Sequence, residues 1–348
     1  MIALRPRTKV RHLRAALLAL SLAVSLPMPA RAEFHVLRTV MLGGDGGWDY
    51  LAFDGVGHRL FITRSTHVMV LDSDSLTVVG DIPNTPGVHG VALVQDAGHG
   101  FTSNGRDTSV TMFDLKTLQP LARVRVGMVP DAITYDSATK RVFVMNGGSG
   151  SASAIDPATG TVVGTITLGG QPEEAACDGA GHMFVNLEDT SQVVSVDTRT
   201  LKVLGRWSLA PGASPSGIAM DPAHGRLFST CANNKMVVSD VRKGKVVTTV
   251  PIGARVDGAG FDPAKGLAFS SNGEGTLTVV KEDSPDKFSV VANVPTARGA
   301  RTMTFDPASR RVFTITAQYG TAPPATPDQP RPRAPLVPGS FQLLVLGE

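Results

Sequence analysis

The sequence has few of the residues that build disulfide frameworks, metal clusters or a strongly charged surface. Its 348 residues include two cysteines, two tryptophans and three tyrosines. Two cysteines are too few for a disulfide-rich scaffold or a cysteine-ligated zinc or iron–sulfur centre. Cys177 and Cys231 are predicted near opposite ends of their strands, so no disulfide is expected. Cys231 is the more accessible candidate thiol, but a role as a buried, small apolar residue is favoured for it.

Turn-forming residues, in contrast, are abundant. The chain has 37 glycines and 24 prolines, and only 18% of its residues are charged. This balance is typical of an all-β protein with many tight turns.

The chain also lacks the short motifs that identify common enzyme classes. It contains no G-x-S-x-G, HExxH, CxxCH or P-loop, and no plausible dinucleotide-binding fingerprint. The glycine clusters 146–150 (NGGSG) and 271–275 (SNGEG) are predicted turns between strands, without a helix that could hold a phosphate. Whether the chain is an enzyme therefore stays open at this level.

Cationic residues are concentrated at the N-terminus. Residues 1–32 contain six cations and no acid, and they enclose the apolar run 15–26 and the A-x-A triplet 30–32. This pattern predicts a secretory signal peptide cleaved after Ala32, with an uncleaved anchor as the alternative. We expect a periplasmic or secreted chain, residues 33–348, without a membrane span. Its 27 cations and 30 anions do not favour a nucleic-acid partner.

A seven-fold repeat occupies the rest of the sequence. Each copy is a short segment of small or apolar residues that ends in aspartate and enters a turn. Successive aspartates are 42, 40, 42, 43, 41 and 44 residues apart. Each unit holds four predicted short strands, so the pattern predicts an all-β fold, a single seven-bladed β-propeller with four-stranded blades. The repeat aspartates are Asp54, Asp96, Asp136, Asp178, Asp221, Asp262 and Asp306.

The two ends of the chain predict how the ring closes. Residues 35–42 resemble a fourth strand, whereas the last repeat provides strands only at 301–306, 311–316 and 341–348. The N-terminal strand is therefore expected to complete the last blade and remove its open edge. A proline-rich insertion at about 317–339 interrupts this blade. It is interpreted either as a surface flap or as a lid or partner-docking arm.

These repeats resemble the YncE-like family of exported bacterial propellers with YVTN repeats. The resemblance rests on the aspartate-ended strands and on the segments 161–173 (TVVGTITLGGQPE) and 245–262 (KVVTTVPIGARVDGAGFD), and it covers all of residues 33–348. It implies a propeller and an envelope location. It implies little about a reaction, because the broader propeller group includes DNA-associated periplasmic proteins, surface proteins, lactonases and lyases.

One face of the ring is predicted to carry the ligand site. There the loops between blades meet the loops that join the second and third strands, whereas the opposite face has short Asp-Pro and Thr-Gly turns. A small-molecule or protein ligand is expected on this loop-rich face of a monomer. The candidate ligand-binding residues are Trp48, Asp49, His89, Arg106, Asp131, Glu173, Glu188, Asp257, Asn272, Glu274 and Arg301.

The position five residues before each repeat aspartate is predicted to point toward the mouth of the central channel. Four acids at this position would repel one another unless they are protonated, paired with arginines or neutralised by a cation. Asp49, Asp131, Glu173 and Asp257 are therefore candidate ligands for Ca²⁺ or Mg²⁺, with solvated or arginine-paired acids as the alternative. The full set is Asp49, Val91, Asp131, Glu173, Ser216, Asp257 and Arg301.

The histidines divide between the two faces. His58, His99, His182 and His224 fall in the short turns, whereas His67 and His89 lie on the loop-rich face and are candidate bases or ligands. The leading hypothesis is an exported, non-catalytic binding or scaffold protein that uses the loop-rich face. The alternative is a metal-assisted, lactonase-like hydrolase or lyase with a central acid-bound cation and His67 or His89 as base.

Overall fold

The computed structural model describes residues 1–3, 34–44, 46–326, 329–330 and 332–348. These residues form seven four-stranded antiparallel sheets, and the prediction of a seven-bladed all-β propeller is confirmed. The apolar run 15–26 and the cleavage site after Ala32 lie outside the described residues. Within the described residues, no helix has the length and apolar character needed to cross a membrane.

Each of the first six blades is a consecutive four-stranded meander, numbered from the channel outward. Blade 1 consists of β2 (Leu51–Asp54), β3 (Arg59–Arg64), β4 (His67–Asp72) and β5 (Val78–Ile82). Blade 2 consists of β6 (Val88–Val94), β7 (His99–Asn104), β8 (Ser109–Asp114) and β9 (Pro120–Arg125). Blade 3 consists of β10 (Pro130–Asp136), β11 (Arg141–Asn146), β12 (Ser151–Asp156) and β13 (Thr161–Thr167).

Blades 4 to 6 continue the same order. Blade 4 consists of β14 (Pro172–Cys177), β15 (His182–Leu187), β16 (Gln192–Asp197) and β17 (Lys202–Ser208). Blade 5 consists of β18 (Pro215–Asp221), β19 (Arg226–Cys231), β20 (Lys235–Asp240) and β21 (Lys245–Pro251). Blade 6 consists of β22 (Val256–Asp262), β23 (Leu267–Asn272), β24 (Thr276–Ser284) and β25 (Lys287–Pro295).

Blade 7 joins the two ends of the chain, as predicted. It contains β26 (Met303–Asp306), β27 (Arg311–Thr316), β28 (Gln342–Gly347) and, on the outside, β1 (His35–Met41). The antiparallel pairing of β1 with β28 runs from His35 opposite Gly347 to Met41 opposite Gln342. The predicted closure of the last blade by the N-terminal strand is therefore confirmed.

A phenylalanine in the second strand of every blade forms the core between neighbouring sheets. All seven rings are at most 3% exposed. Burial of each such side chain contributes about 2–3 kcal/mol to stability. This regular apolar layer stacks the blades and sets the spacing of the channel-facing strands. The rings belong to Phe61, Phe101, Phe143, Phe184, Phe228, Phe269 and Phe313.

The repeat aspartates stabilise the turns on the face opposite the loops, here called the Asp-turn face. Asp54 Oδ1 accepts the backbone N–H groups of Val56 and Gly57, and Asp262 Oδ1 accepts those of Ala264 and Lys265. Local hydrogen bonds of this kind are the reason that Asp begins tight turns. The sequence pattern therefore has a structural cause on this face.

The proline-rich insertion leaves blade 7 between β27 and β28. At its base Tyr319 pairs with Leu336 in an isolated bridge, and Gly320 N–H donates to Pro335 O at 2.8 Å. Tyr319 also packs edge-on against Trp48, with ring centroids 6.5 Å apart. The two ends of the insertion thus pair with each other beside the loop-rich face, and the insertion is here called the arm. Its residues 321–326 are exposed.

Candidate functional site

The inner strand of every blade begins at the loop-rich face and places one side chain at the mouth of the channel. Strand pairing defines the equivalent positions: Asp131 follows Pro130, which pairs with Asn146, and Asp257 follows Val256, which pairs with Asn272. These positions form one ring around the opening, here called the mouth ring. Its members are Asp49, His89, Asp131, Glu173, Ser216, Asp257 and Arg301.

In blade 2 the member of the ring is His89, and the prediction of Val91 was wrong. Val88 pairs with Asn104 and Val94 pairs with His99, so His89 is equivalent to Asp131. The 3-10 turn Gln95–Ala97 extends the end of this strand, and Asp96 lies inside that turn. A count of five residues back from Asp96 therefore stops two residues short of His89. Val91 instead is buried in the core.

Charged contacts connect neighbouring members of the mouth ring. His89 Nδ1 lies 2.6 Å from Asp49 Oδ2 and 3.4 Å from Asp131 Oδ1. Arg301 Nε lies 2.9 Å from Asp257 Oδ2, and its Nη2 lies 3.8 Å from Asp49 Oδ1. The three aspartates are mostly buried, with side chains 16–22% exposed. One histidine and one arginine thus bridge three carboxylates around the opening.

These bridges do not neutralise the ring. Burial raises the pKa of Asp131 to about 6, although His89 opposes the shift, and burial raises the pKa of Asp257 to about 7 against the effect of Arg301. Burial disfavours the imidazolium of His89, but the hydrogen bond to Asp49 and the charge of Asp131 outweigh it and raise the pKa of His89. The ring therefore tends to retain protons near neutral pH.

Blade 4 adds further acids to the same opening. Burial, together with the charges of Asp131 and Glu188, raises the pKa of Glu173 to about 9. Glu188 comes from the loop after β15, where its Oε2 accepts a hydrogen bond from Gln171 Nε2 at 3.1 Å. The nearby Glu188 carboxylate thus adds to the burial that favours the protonated form of Glu173.

A second tier of residues lies just inside the ring. Tyr50 and Glu174 line a cavity of about 120 Å³ together with small residues such as Gly90 and Ala132. Burial raises the pKa of Glu174 to about 8, although its carboxylate accepts the N–H of Ile218 at 2.8 Å. Sequence reasoning gave Glu174 no role, because the five-residue register selects only its neighbour Glu173.

The inner strands approach one another closely at this depth, and glycine permits this. A Cβ added to Gly217 would lie 2.7 Å from the backbone carbon of Gly258 in the next blade. A larger residue at this position would therefore push the two blades apart. Other blades carry Tyr50 and Glu174 at the equivalent position, where they line the cavity.

Next to the ring is a larger, open cleft of about 750 Å³. Trp48 and Tyr319 contribute its aromatic surface, and Asp257 contributes an acid from the mouth ring. Arg298 lies over the Tyr319 ring, 5.0 Å from its centroid. Pro332 and other residues of the arm close one side of the cleft. Its basic side chains are Arg255, Arg298, Arg301 and Arg333.

The remaining predicted residues lie away from the ring. Arg106 and Glu274 are exposed on loops, and Glu274 Oε1 accepts a hydrogen bond from Thr276. His67 lies at the start of β4, with Nε2 3.7 Å from Asp81 on the outer strand. Asn272 is fully buried, and its amide donates to Thr276 and Thr278 at 3.0 Å. The structure thus gathers Asp49, His89, Asp131, Glu173, Glu188, Asp257 and Arg301, with Trp48 in the adjoining cleft.

Both cysteines are free; Cys231 is less accessible than Cys177, against the predicted order, but its burial agrees with the small apolar role that the sequence favoured. Cys231 is fully buried, while Cys177 is partly buried. Cys231 ends β19 beneath the loop 209–213, and its Sγ packs where a Cβ on Gly212 would lie 2.7 Å away. Burial raises the pKa of the Cys231 thiol to about 12, so it is not a reactive thiol.

A metal ion at the mouth would have a different donor set from the predicted one. Among the described residues of the ring, one ligand atom each of Asp49, His89 and Asp131 lie within 4.8 Å of one another. Asp257 is paired with Arg301, and Glu173 is not part of the cluster. Two carboxylates and an imidazole suit a transition metal better than Ca²⁺ or Mg²⁺, which prefer oxygen ligands. The residues thus fit a divalent ion only through the three-residue cluster.

Comparisons with known proteins support the fold and no narrower family. No protein-family model and no curated protein matches the chain. Hydrazine synthase from Kuenenia stuttgartiensis has a similar structure, with a TM-score of 0.70 and 17% identity over 79% of this chain and 94% of that chain. A chain in the crystal structure of the mitotic checkpoint complex matches with a TM-score of 0.73 and 15% identity, over 97% of this chain and 99% of that chain.

Proposed function

We propose that this chain is an exported binding protein of the YncE-like, YVTN-repeat type. The acids at its channel mouth bind a cationic group of the ligand. The repeat segments and the N-terminal leader pattern support the family and the envelope location. A protein that is exported in this way would begin at Glu33, which N-terminal sequencing of the secreted or periplasmic chain can check. The propeller fold is compatible with many activities, so the argument for binding rests on the mouth.

The observation that carries the proposal is the excess of carboxyl groups over cations at the mouth. Asp49, Asp131, Glu173, Glu174, Glu188 and Asp257 face one another across the opening, whereas Arg301 and His89 are the basic members of the ring and its lining. Four of the six have raised pKa values. A cationic ligand would replace the retained protons and would gain hydrogen bonds to charged acceptors.

The surroundings of the ring suggest the rest of the ligand. The cleft beside Asp257 has arginines and the aromatic rings of Trp48 and Tyr319 on its walls. A ligand with an amine or guanidinium group in the mouth and an anionic or aromatic part in the cleft fits this division of charge. Both a small molecule and a peptide segment have this chemistry. The mitotic checkpoint complex, in which a similar propeller occurs, is a protein assembly and agrees with a protein ligand.

The test compares matched pairs of neutralising substitutions on the two faces. The variant Asp131→Asn with Asp257→Asn removes charge from the mouth, and Asp114→Asn with Asp156→Asn removes the same charge from the Asp-turn face. Calorimetry with spermidine as the probe should show an affinity loss of about tenfold or more for the first pair only. Binding should also release protons, so the measured heat should depend on the ionisation enthalpy of the buffer. Equal affinities in the two variants would exclude the mouth as the binding site.

One contact favours the alternative, a metal-assisted hydrolase or lyase. The 2.6 Å pair between Asp49 and His89 resembles the carboxylate–imidazole pairs that orient a general base, and Asp131 is the third donor of a possible ion site. If an ion bound there, it would polarise a substrate carbonyl, while Asp131 and Asp49 would hold it. Hydrolysis of aromatic and aliphatic lactones, measured with and without added Zn²⁺, Mn²⁺ and Ca²⁺, tests this alternative. Turnover that His89→Gln abolishes would favour it over simple binding.

A further inference from the structure

A second cluster of ionisable side chains lies on the Asp-turn face, at the joint between blades 5 and 6. Asp221 ends β18, His224 lies in the turn that follows, and Glu282 is near the end of β24. His224 Nδ1 is 2.6 Å from Asp221 Oδ2 and 3.0 Å from Glu282 Oε1. Both carboxylate side chains are only 4% exposed, whereas the imidazole is 51% exposed. Two buried acids thus converge on one nitrogen of a half-exposed imidazole.

Glu282 occupies a position at which other blades have a different type of side chain. Val241, the residue after the third strand of blade 5, donates its backbone N–H to the carbonyl of Gly225, which precedes the second strand. Glu282 makes the equivalent bond to Gly266 in blade 6, where the third strand β24 is longer and includes it. Its side chain faces the turn of the preceding blade. At this position Thr198 donates to Asp136 Oδ2 at 2.7 Å, and Val241 lines a hollow with Asp178 and His182. Glu282 instead brings a second carboxylate to an aspartate.

The joint between blades 6 and 7 shows how the chain otherwise accommodates an acid here. Glu348 holds the equivalent position after β28 and contacts Lys265 Nζ, and Arg310 Nη2 lies 3.4 Å from it. Lys265 stands three residues after Asp262, as His224 stands three residues after Asp221. Two permanent cations therefore neutralise the acid pair at that joint.

At the joint between blades 5 and 6, no second cation among the described residues forms an ion pair with Glu282, although the charge of Arg226 acts on it. The nearby Arg226 is taken up by Asp240, 3.3 Å away, and by Asp286, 3.1 Å away. Within the described part of the chain, Glu282 has the 3.0 Å contact with His224, but neither carboxylate oxygen has a hydrogen bond of regular geometry. A buried carboxylate with so few donors is costly, because it has lost its hydration. This unsatisfied group points to a missing cation at the cluster.

The donor atoms select the kind of cation. An imidazole nitrogen with two carboxylate oxygens suits Zn²⁺ and related transition metals, whereas Ca²⁺ and Mg²⁺ prefer oxygen alone. Ligand atoms in a tetrahedral zinc site lie about 3.3 Å apart, so the cluster must open by less than about 1 Å. The half-exposed His224 can move outward and leave a water position. Asp221 is already oriented by the N–H of Ala223, which its other oxygen accepts at 2.9 Å.

We propose that Asp221, His224 and Glu282 form a binding site for a divalent transition-metal ion of the Zn²⁺ type. The ion replaces the proton on His224 Nδ1 and neutralises both carboxylates. Because Asp221 and His224 belong to blade 5 and Glu282 to blade 6, the ion joins two blades on the face opposite the mouth. The site is independent of the proposed ligand site and stabilises the ring itself.

The test is a Zn²⁺ titration of the chelator-treated chain, with competition against a chromophoric chelator and with thermal unfolding as a second readout. Glu282→Gln keeps the shape of the side chain and should weaken one site by about tenfold or more. Added Zn²⁺ should raise the melting temperature of the unaltered chain and not that of this variant. Co²⁺ should give a visible absorption band that the variant lacks.

Two controls separate this site from other histidines. His182→Gln alters the same kind of histidine–aspartate turn one blade earlier, where Val241 replaces the glutamate, and should leave the titration unchanged. His89→Gln removes the imidazole of the mouth cluster and should also leave this site intact. If Glu282→Gln folds poorly, His224→Gln provides the same test at a half-exposed position. Zn²⁺ binding that is equal in the unaltered chain and in Glu282→Gln, or that disappears only with His89→Gln, would overturn the proposal.

Discussion

Both faces of the propeller are rich in carboxyl side chains, but the pKa values of these groups shift in opposite directions on the two faces. On the Asp-turn face, backbone N–H groups of Ser75, Thr117 and Thr200 lower the pKa values of the aspartates that begin their turns. At the mouth, burial raises the pKa values of Asp131, Asp257, Glu173 and Glu174. The difference arises because burial at the mouth disfavours the ionised carboxylate, whereas the turn aspartates lie near solvent and accept backbone N–H groups.

Carboxylates of the two faces also differ in how many hydrogen-bond donors surround them. Asp54 accepts five hydrogen bonds, two from backbone N–H groups, one from Gln95 and two from Arg59. Asp131, in contrast, faces His89 at 3.4 Å and other acids across the opening. Carboxylates with many donors stabilise a structure in the ionised form, whereas carboxylates with few donors can exchange protons for a ligand. The turn face therefore stabilises the ring, and the mouth is available for binding.

The largest difference is expected when one aspartate of each face is changed to asparagine. Asp54→Asn removes the charge that Arg59 pairs with at 2.7 Å, in a side chain with no solvent exposure. Loss of one partner of a buried pair should lower the free energy of unfolding by about 3 kcal/mol. Asp131→Asn removes a carboxylate that repels its neighbours and should leave stability unchanged or increase it. Urea unfolding of both variants at pH 7 measures the contrast, and similar losses in the two would invalidate it.

A smaller effect is expected from the pH dependence of stability. The acids of the mouth bind protons more tightly in the folded chain than in the unfolded chain, where carboxyls titrate near pH 4. Stability should therefore fall as the pH rises above 4 and should level off above the folded pKa values of about 6 to 9. The raised pKa of His89 acts in the same direction, because its contribution is lost as the pH rises through that value.

Paired variants identify the source of this slope. Glu173→Gln with Glu174→Gln should flatten the decline between pH 5 and pH 9 by on the order of 1 kcal/mol. Glu274→Gln makes the same chemical change at an exposed loop position on the same face and should leave the profile unaltered. Chemical unfolding across this pH range provides the measurement. A profile that Glu274→Gln changes as strongly would mean that the charge of the whole face, and not the ring, sets the slope.

Much of the mouth could be predicted because strand pairing repeats with the sequence. The spacing of the repeat aspartates predicts the ring positions of Asp49, Asp131, Glu173, Asp257 and Arg301, and the strand pairing agrees. The count failed in blade 2 because the turn Gln95–Ala97 adds residues between the strand and Asp96. Only hydrogen-bond register, with Val94 opposite His99, shows that His89 takes the place of Val91.

The rest of the site depends on contacts that repeat counting does not contain. Asn272 has the polar side chain of a binding residue, but it turns inward and holds Thr276 and Thr278. Glu174 lies one residue past the ring, and its approach to the channel depends on how the neighbouring inner strands converge. The contact of His224 with Glu282 joins residues 58 positions apart in different blades, so no local pattern announces it.

The smallest effect is expected from the arm, which borders the mouth but contributes no residue to the ring. Replacing residues 321–334 with Asn-Gly would join Gly320 to Pro335, which already face each other through a 2.8 Å hydrogen bond. Because residues 321–326 are exposed, the free energy of unfolding should change by no more than about 0.5 kcal/mol.

Tyr319 would remain against Trp48 in the shortened chain, so the aromatic wall of the cleft should persist. Spermidine affinity should also be retained, since the acids of the ring project from β-strands and their adjoining loops. Urea unfolding and calorimetry on the shortened chain provide both measurements. A shortened chain that unfolds more easily by over 1 kcal/mol, or that no longer binds the probe, would show that the arm is a working part of the mouth.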